Sequence, residues 1–286
     1  MIGECHAHIF MNGNDYQAAV AAHQEGISEE VIAKHFREYV AAKVQYVRDG
    51  GDDLGVSLRA IGLAKQFGIT YRTPIFAIHK QNHYGSIVGR AYETIEEYRQ
   101  LVKMVRKLGG HFIKIMLSGI VDFNKFGVIT GSDIDYEEVR QLIDIAHAEG
   151  FAVMAHVNGA KAVANAAKCG VDSIEHGYFI DDEAMNAMAE NAVVWVPTLV
   201  TVANLRGTKR FPEAIIAKIL ANHQANISKA AKKGVLIAPG SDAGAYGVRH
   251  GSGIMEEYQM LTATLLEMDN AADYLQKGLE TIRRKF

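Results

Sequence analysis

Two cysteines in 286 residues, Cys5 and Cys169, give this chain no disulfide framework. Nor does it carry an excess of positive charge. Thirty basic residues against 33 acidic ones leave a formal net charge of −3, which argues against a nucleic-acid or anionic-membrane surface. The terminal Arg283-Arg284-Lys285 is too short to change that balance. No apolar run reaches the ~20 residues that span a bilayer, and the N-terminus shows no signal-peptide pattern. With only four prolines, the sequence has no Pro/Gly/Ser-rich linker, charge block or low-complexity stretch to mark a domain boundary. No Gly-x-Gly-x-x-Gly follows a strand-like run, which removes the main signal for nucleotide binding. These absences lead to the expectation of a cytoplasmic protein that acts on a small molecule, without nucleic-acid or membrane partners.

What is present is a core and a rhythm. Hydrophobic residues make up 49% and charged residues 22%, close to the globular norm. Strand-like runs near 2–9, 44–48, 69–78, 112–117, 152–157, 173–176, 193–199 and 236–242 alternate with helical patterns at 29–43, 56–67, 94–108, 136–149, 160–169 and 213–233. Several of the helical patterns stop at a glycine, as Gly68, Gly109, Gly150, Gly170 and Gly234 do. Strands alternating with helices predict a parallel sheet, and eight of them at this length predict a (β/α)8 TIM barrel as one domain over residues 1–286. An open doubly wound sheet is the alternative.

The most informative residues are His6 and His8 in Gly3-Glu4-Cys5-His6-Ala7-His8. On a strand, residues two apart share a face, so one metal ion could hold both imidazoles. Four further candidates stand near the ends of their own apolar runs: Lys114 in Phe112-Ile113-Lys114-Ile115, His156 in Met154-Ala155-His156-Val157, His176 in Ile174-Glu175-His176-Gly177 and Asp242 in Gly240-Ser241-Asp242. A lysine inside a buried strand must be paired, neutralised or chemically changed. In a (β/α)8 barrel the C-terminal strand ends meet at one mouth, which would gather all six residues.

Taken together, these runs resemble the metal-dependent amidohydrolase superfamily, and most of all its imidazolonepropionase-related and dipeptidase-like branch. Tyr46-Val47-Arg48-Asp49-Gly50-Gly51, Val196-Pro197-Thr198-Leu199 and Gly240-Ser241-Asp242-Ala243-Gly244 add to the likeness. The resemblance implies that His6, His8 and Asp242 hold one divalent metal and that His156 and His176 hold a second. Lys114, carboxylated by CO2, would bridge the two. Zn²⁺ suits this donor set, with Mn²⁺ or Fe²⁺ possible. A metal-activated water would be the nucleophile, and Asp242 would take and return its proton. The expected reaction is cleavage of a C–N bond in a small amide such as an N-acyl amino acid, a dipeptide or a cyclic amide. Lactone or organophosphate hydrolysis or deamination in the same cage is the alternative, and a non-catalytic metal-binding protein is the third reading.

Two departures from relatives shape further expectations. The small β-sandwich that most relatives carry is expected to be absent, which predicts a homo-oligomer, with an apolar face on 271–284 covering part of the exposed barrel. Val157-Asn158 replaces the tyrosine or histidine that often stands two residues after the histidine equivalent to His156. Candidate substrate contacts are Arg72, His83, Tyr84, Tyr178, Arg249 and His250, with Arg249 able to pair with a substrate carboxylate.

Overall fold

The computed structural model describes residues 2–286. The strands are β1 (Ile2–Ala7), β2 (Val44–Asp49), β3 (Thr70–Arg72), β4 (Ala77–Lys80), β5 (Gly89–Tyr92), β6 (Ile113–Met116), β7 (Val153–Val157), β8 (Ser173–His176) and β9 (Val194–Val196). Among and after them run the helices α1 (Tyr16–Ala21), α2 (Glu29–Ala41), α3 (Val56–Ala64), α4 (Ile95–Lys107), α5 (Tyr136–Ala148), α6 (Ala160–Lys168), α7 (Asp182–Glu190), α8 (Leu199–Ala203), α9 (Glu213–Lys232), α10 (Ser252–Thr264) and α11 (Ala271–Lys285). None of these helices is long and apolar enough to cross a membrane.

Every strand pairing is parallel. One sheet has the order β1-β2-β3 and the other β5-β4-β6-β7-β8-β9. All four residues of β6 and all five of β7 are buried, as expected of strands covered on one side by helices and on the other by the barrel interior. The helices supply that cover through apolar stripes: Tyr98, Val102 and Val105 on α4, and Val139, Leu142, Ile143 and Ala146 on α5. α4 starts at a capping box, in which Thr94 Oγ1 accepts from Glu97 N–H and the Glu97 carboxylate accepts from Thr94 N–H, both at 3.2 Å.

The circuit is that of a (β/α)8 barrel, with regular pairing interrupted in two places. The single strand expected at 69–78 is split into β3 and β4. Pro74 has no N–H to donate, and Ile75 takes a left-handed φ of 71°. The carbonyls at the break are used elsewhere: Thr73 accepts from His111 N–H and Ile75 from Asp52 N–H, each at 2.9 Å. The strand expected at 236–242 forms no ladder, because Pro239 removes a donor from its middle. It joins its neighbours by single bonds. Trp195 N–H donates to Leu236 and Ala238 N–H to Trp195 on one side, while Cys5 N–H donates to Pro239 and Asp242 N–H to His6 on the other.

The floor of the barrel is closed by α11. Leu279, Ile282 and Phe286 pack with Cys5, Tyr46, Phe112 and Met154 in one buried cluster. Gly278 makes that approach possible, since a Cβ there would lie 2.0 Å from the Ile237 carbonyl oxygen. Cys5 is apolar filler in this cluster, with its thiol pushed far up by burial.

Candidate metal centre

The site is assembled from five strand ends. β1 brings His6 and, just past its end, His8; β6 brings Lys114, β7 His156, β8 His176, and the irregular 236–243 segment Asp242. Lys114 Nζ lies 3.1 Å from His6 Nε2 and 3.4 Å from His8 Nε2. Asp242 Oδ1 lies 3.5 Å from His6 Nε2 and 3.6 Å from His8 Nε2. Ligand atoms of His6, His8 and Asp242 all lie within 4.8 Å of one another, a group that could hold a metal ion. The imidazoles continue as a chain, with ring centres 5.0 Å apart for His6 and His176 and 4.6 Å for His176 and His156. All six residues singled out in the sequence are therefore brought together.

Burial sets their protonation. It holds the imidazoles of His6, His8 and His176 well below the usual histidine range and brings His156 down to about 4, so all four rings are neutral donors at physiological pH. The same desolvation holds the Lys114 amine below the usual lysine range, opposed by the carboxylates of Asp242, Glu175 and Asp49. It pushes the Asp242 carboxyl up to about 7, against the pull of Lys114.

Behind these groups stands a layer of buried partners. The Glu175 carboxylate lies 2.9 Å from His6 Nδ1 through Oε2, and through Oε1 it accepts from Arg48 Nη2 at 2.8 Å and Ser173 Oγ at 2.6 Å. Arg48 is fully buried, with its guanidinium 4.4 Å from the centre of the Phe286 ring, and it also donates to the Cys5 carbonyl at 2.6 Å. His176 Nδ1 is 2.8 Å from Thr198 Oγ1, and His156 Nε2 donates to the Gly119 carbonyl at 3.1 Å. Glu4 accepts from Ser241 N–H at 2.8 Å and Ser241 Oγ at 2.5 Å, which fixes the residue before Asp242. Asp49 accepts from Ile9 N–H and Gly51 N–H, each at 2.7 Å, and so ties the end of β1 to the loop after β2.

Backbone strain concentrates here. His176, Thr198 and Asp242 adopt left-handed φ values of 67°, 49° and 59°, a conformation that costs a non-glycine residue of order 1–3 kcal/mol. On a regular strand Glu175 and His176 would face opposite sides. The left-handed turn at His176 lets both reach His6. At Gly50 a Cβ would stand 2.3 Å from His8 Cε1 and 2.6 Å from Lys114 Nζ, so the space around these two side chains depends on a glycine.

A cavity of about 430 Å³ opens above the cluster, with His8, Lys114, His156, His176 and Asp242 on its surface. Of the expected substrate contacts, Tyr84 and Tyr178 line it; Tyr84 packs on His156 with ring centres 5.0 Å apart, and the Tyr178 hydroxyl is 2.9 Å from Thr201 Oγ1. The other four stand elsewhere. Arg72 stands opposite Arg48 in the β2–β3 ladder, within the body of the barrel, because its strand breaks after it and the mouth is reached only by β4. The turn after β4 carries His83 outward, to 3.2 Å from the Ser132 carbonyl. Arg249 is solvent-exposed. His250 is buried under the loop after β1, where it stacks on His35 at 4.0 Å and bonds to the Met11 carbonyl at 2.8 Å. Sequence reasoning missed Glu175 and Arg48 as partners of the site, and missed Phe123, Arg210, Phe211 and Tyr246 in the cavity wall. The wall residues lie on loops with no periodicity to read.

The amidohydrolase family's sequence profile matches residues 3–278. An uncharacterised protein of Mycobacterium tuberculosis is 33% identical over 119 residues, 40% of this chain and 32% of that protein. An ochratoxinase of Aspergillus niger is 28% identical over 161 residues, 52% of this chain and 32% of that protein. The matched stretches thus span about a third of these relatives. A crystal structure of a Xaa-Pro dipeptidase with methionine bound in its active site superimposes with a TM-score of 0.76 at 25% identity, covering 99% of this chain and 75% of that one. A prolidase complexed with N-methylphosphonate-L-proline shares the fold, with a TM-score of 0.74 at 22% identity, covering 99% of this chain and 74% of that one. With a match across nearly its whole length and the motif residues gathered at one barrel mouth, the chain belongs to the amidohydrolase family.

Proposed function

We propose that this chain is a metal-dependent hydrolase that cleaves a C–N amide bond in a small molecule. The observation that carries the reading is the convergence of four neutral imidazoles, one amine and one carboxylate, all but His6 on the surface of a single cavity. The residues fit a metal pair. Their rings are unprotonated, and ligand atoms of His6, His8 and Asp242 lie within 4.8 Å of one another. His6, His8 and Asp242 would hold one divalent ion. His156, whose Nε2 is committed to Gly119, would offer Nδ1 to a second, and His176, whose Nδ1 faces Thr198, would offer Nε2. Burial holds the Lys114 amine below the usual lysine range; as the free amine it could add to CO2 with loss of a proton, and the resulting carbamate would offer oxygen donors to both ions. The nitrogen and oxygen donors suit Zn²⁺, with Mn²⁺ or Fe²⁺ as alternatives. Such ions, when bound, polarise a carbonyl and lower the pKa of water toward neutrality.

The chain's own residues supply the rest. Asp242 turns Oδ1 toward His6 and His8 and lines the cavity. It can therefore take a proton from the attacking water and deliver it to the leaving nitrogen. Tyr84 and Tyr178 border the reaction space. The likeness to a Xaa-Pro dipeptidase supports an amide of dipeptide or N-acyl amino acid size, and a cavity of about 430 Å³ admits such a molecule.

The test is a screen of dipeptides, N-acyl amino acids, cyclic amides and lactones against the metal-loaded protein, its chelator-treated form and Asp242→Asn. Amide turnover is expected to vanish with chelation and return with metal, and to fall by ~10²–10⁴ in the variant. Turnover of lactones alone, or an Asp242→Asn protein retaining more than about a tenth of the rate, would overturn the assignment.

A further inference from the structure

The cavity carries a cation that the hydrolytic chemistry leaves unused. Among its lining residues only Lys114 and Arg210 are lysine or arginine, and Lys114 is buried on the floor. Arg210 stands between α8 and α9, with its guanidinium carbon 4.2 Å from the centre of the Tyr246 ring and 5.7 Å from that of Phe211. Tyr246 follows Asp242 across a tight turn, closed by Ala245 N–H donating to the Asp242 carbonyl at 3.0 Å. Stacking on Tyr246 thus sets the guanidinium on the wall beside the loop that carries Asp242.

Arg210 has no carboxylate partner among the described residues, whereas nearby Arg206 is bound to Glu213 at 2.9 Å. The other charged group high in the cavity, Asp15, is occupied as the cap of α1 and accepts from Ala18 N–H at 3.0 Å. Around Arg210 the wall is apolar: Phe123 and Phe211 approach with ring centres 5.3 Å apart, flanked by Ile120 and Leu205. A stacked guanidinium keeps its N–H edges free, and those edges match a carboxylate in a bidentate fork.

We propose that Arg210 is a specificity-determining residue that binds the free carboxylate of the substrate, and that the substrate is therefore an N-acyl or N-aminoacyl derivative of an amino acid with an apolar side chain. The carboxylate sits against Arg210, the apolar side chain against Phe123 and Phe211, and the amide reaches the cluster around Asp242. This inference rests on the amide-hydrolase reading and narrows it.

Two ligands that cannot be hydrolysed separate the two claims: N-methanesulfonyl-L-phenylalanine and its neutral carboxamide, titrated calorimetrically into the metal-loaded wild type, Arg210→Gln and Arg210→Lys. The wild type is expected to bind the acid at least about tenfold more tightly than the carboxamide, as for a charge-assisted pair. Arg210→Gln should erase that difference by weakening the acid alone, and Arg210→Lys should keep part of it. Equal binding of the two ligands by the wild type, binding of neither, or a preference that survives in Arg210→Gln would overturn the proposal. Hydrolysis of N-acetyl-L-phenylalanine by the wild type is measured alongside. Tight, Arg210-dependent binding together with no amide turnover in the screen above would refute the amide-hydrolase reading and leave carboxylate recognition standing.

Discussion

Replacing Glu175 by glutamine keeps the shape of the side chain and removes its charge, and the surrounding geometry sets the consequences. Glu175 is fully buried between Arg48, Ser173 and His6, at 2.8, 2.6 and 2.9 Å. Burial pushes its carboxyl up, while Arg48 draws it back toward the ionised form. Arg48 cannot shed its own charge. Glu175→Gln therefore leaves a buried guanidinium without a counter-charge, a loss expected to cost ~3–5 kcal/mol of stability. With its oxygen held by the Arg48 and Ser173 donors, the new amide turns its NH2 group toward His6 Nδ1 in place of the carboxylate Oε2, which should weaken metal binding by ~10–100-fold. Urea unfolding of the metal-stripped protein reads the first effect as a lower midpoint at unchanged slope. Competition with a chromophoric chelator reads the second. Adding Arg48→Met should recover part of the stability, because both charges are then gone, but none of the metal affinity, because His6 stays unsupported. A Glu175→Gln protein within ~1 kcal/mol of wild type that binds metal normally would refute the reasoning.

Two further outcomes are expected from the geometry. Gly50→Ala should drive its new Cβ into His8 and Lys114 and abolish tight metal binding, at a stability cost of only ~1–3 kcal/mol as for other overpacked sites; metal content after dialysis, set against a thermal melt, checks both halves. Stability should fall on acidification through the buried pair beneath the loop after β1. His35 is held down to about 4 and His250 well below its usual range, and they stack at 4.0 Å while bonding to the Ile9 and Met11 carbonyls. A folded-state pKa below the unfolded one means that this stability is complete above about 6.5 and drains away as pH falls toward 4, by up to ~3 kcal/mol for His35. His35→Gln should flatten the dependence of melting temperature on pH, and an unchanged slope would show that the pair is not its source.

What the sequence made legible is what has a period or a strand end. The Lys114 run, the histidine pair and the glycine-terminated helices follow from alternation and capping, and the structure sets them at the expected barrel positions. Glu175 escaped because alternation turned it away from the site, and only the left-handed backbone at His176 reverses that. Arg249 and Arg210 illustrate the other limit. Both are exposed arginines on loops near the mouth, and only tertiary placement, the stacking on Tyr246, sets Arg210 in the cavity wall. His83 and His250 diverged for the same reason, since the paths of their loops are set by bonds to Ser132 and Met11 that no local pattern encodes.

The proposed two-metal centre of the four histidines, Lys114 and Asp242 is tested most directly by metal stoichiometry. The protein is purified in bicarbonate with zinc, desalted, and analysed by inductively coupled plasma mass spectrometry beside His6→Ala and His176→Ala. A two-metal centre predicts about two ions per chain in the wild type, with a fall in both variants. A wild-type protein that retains essentially no metal, or variants that retain as much as the wild type, would contradict it.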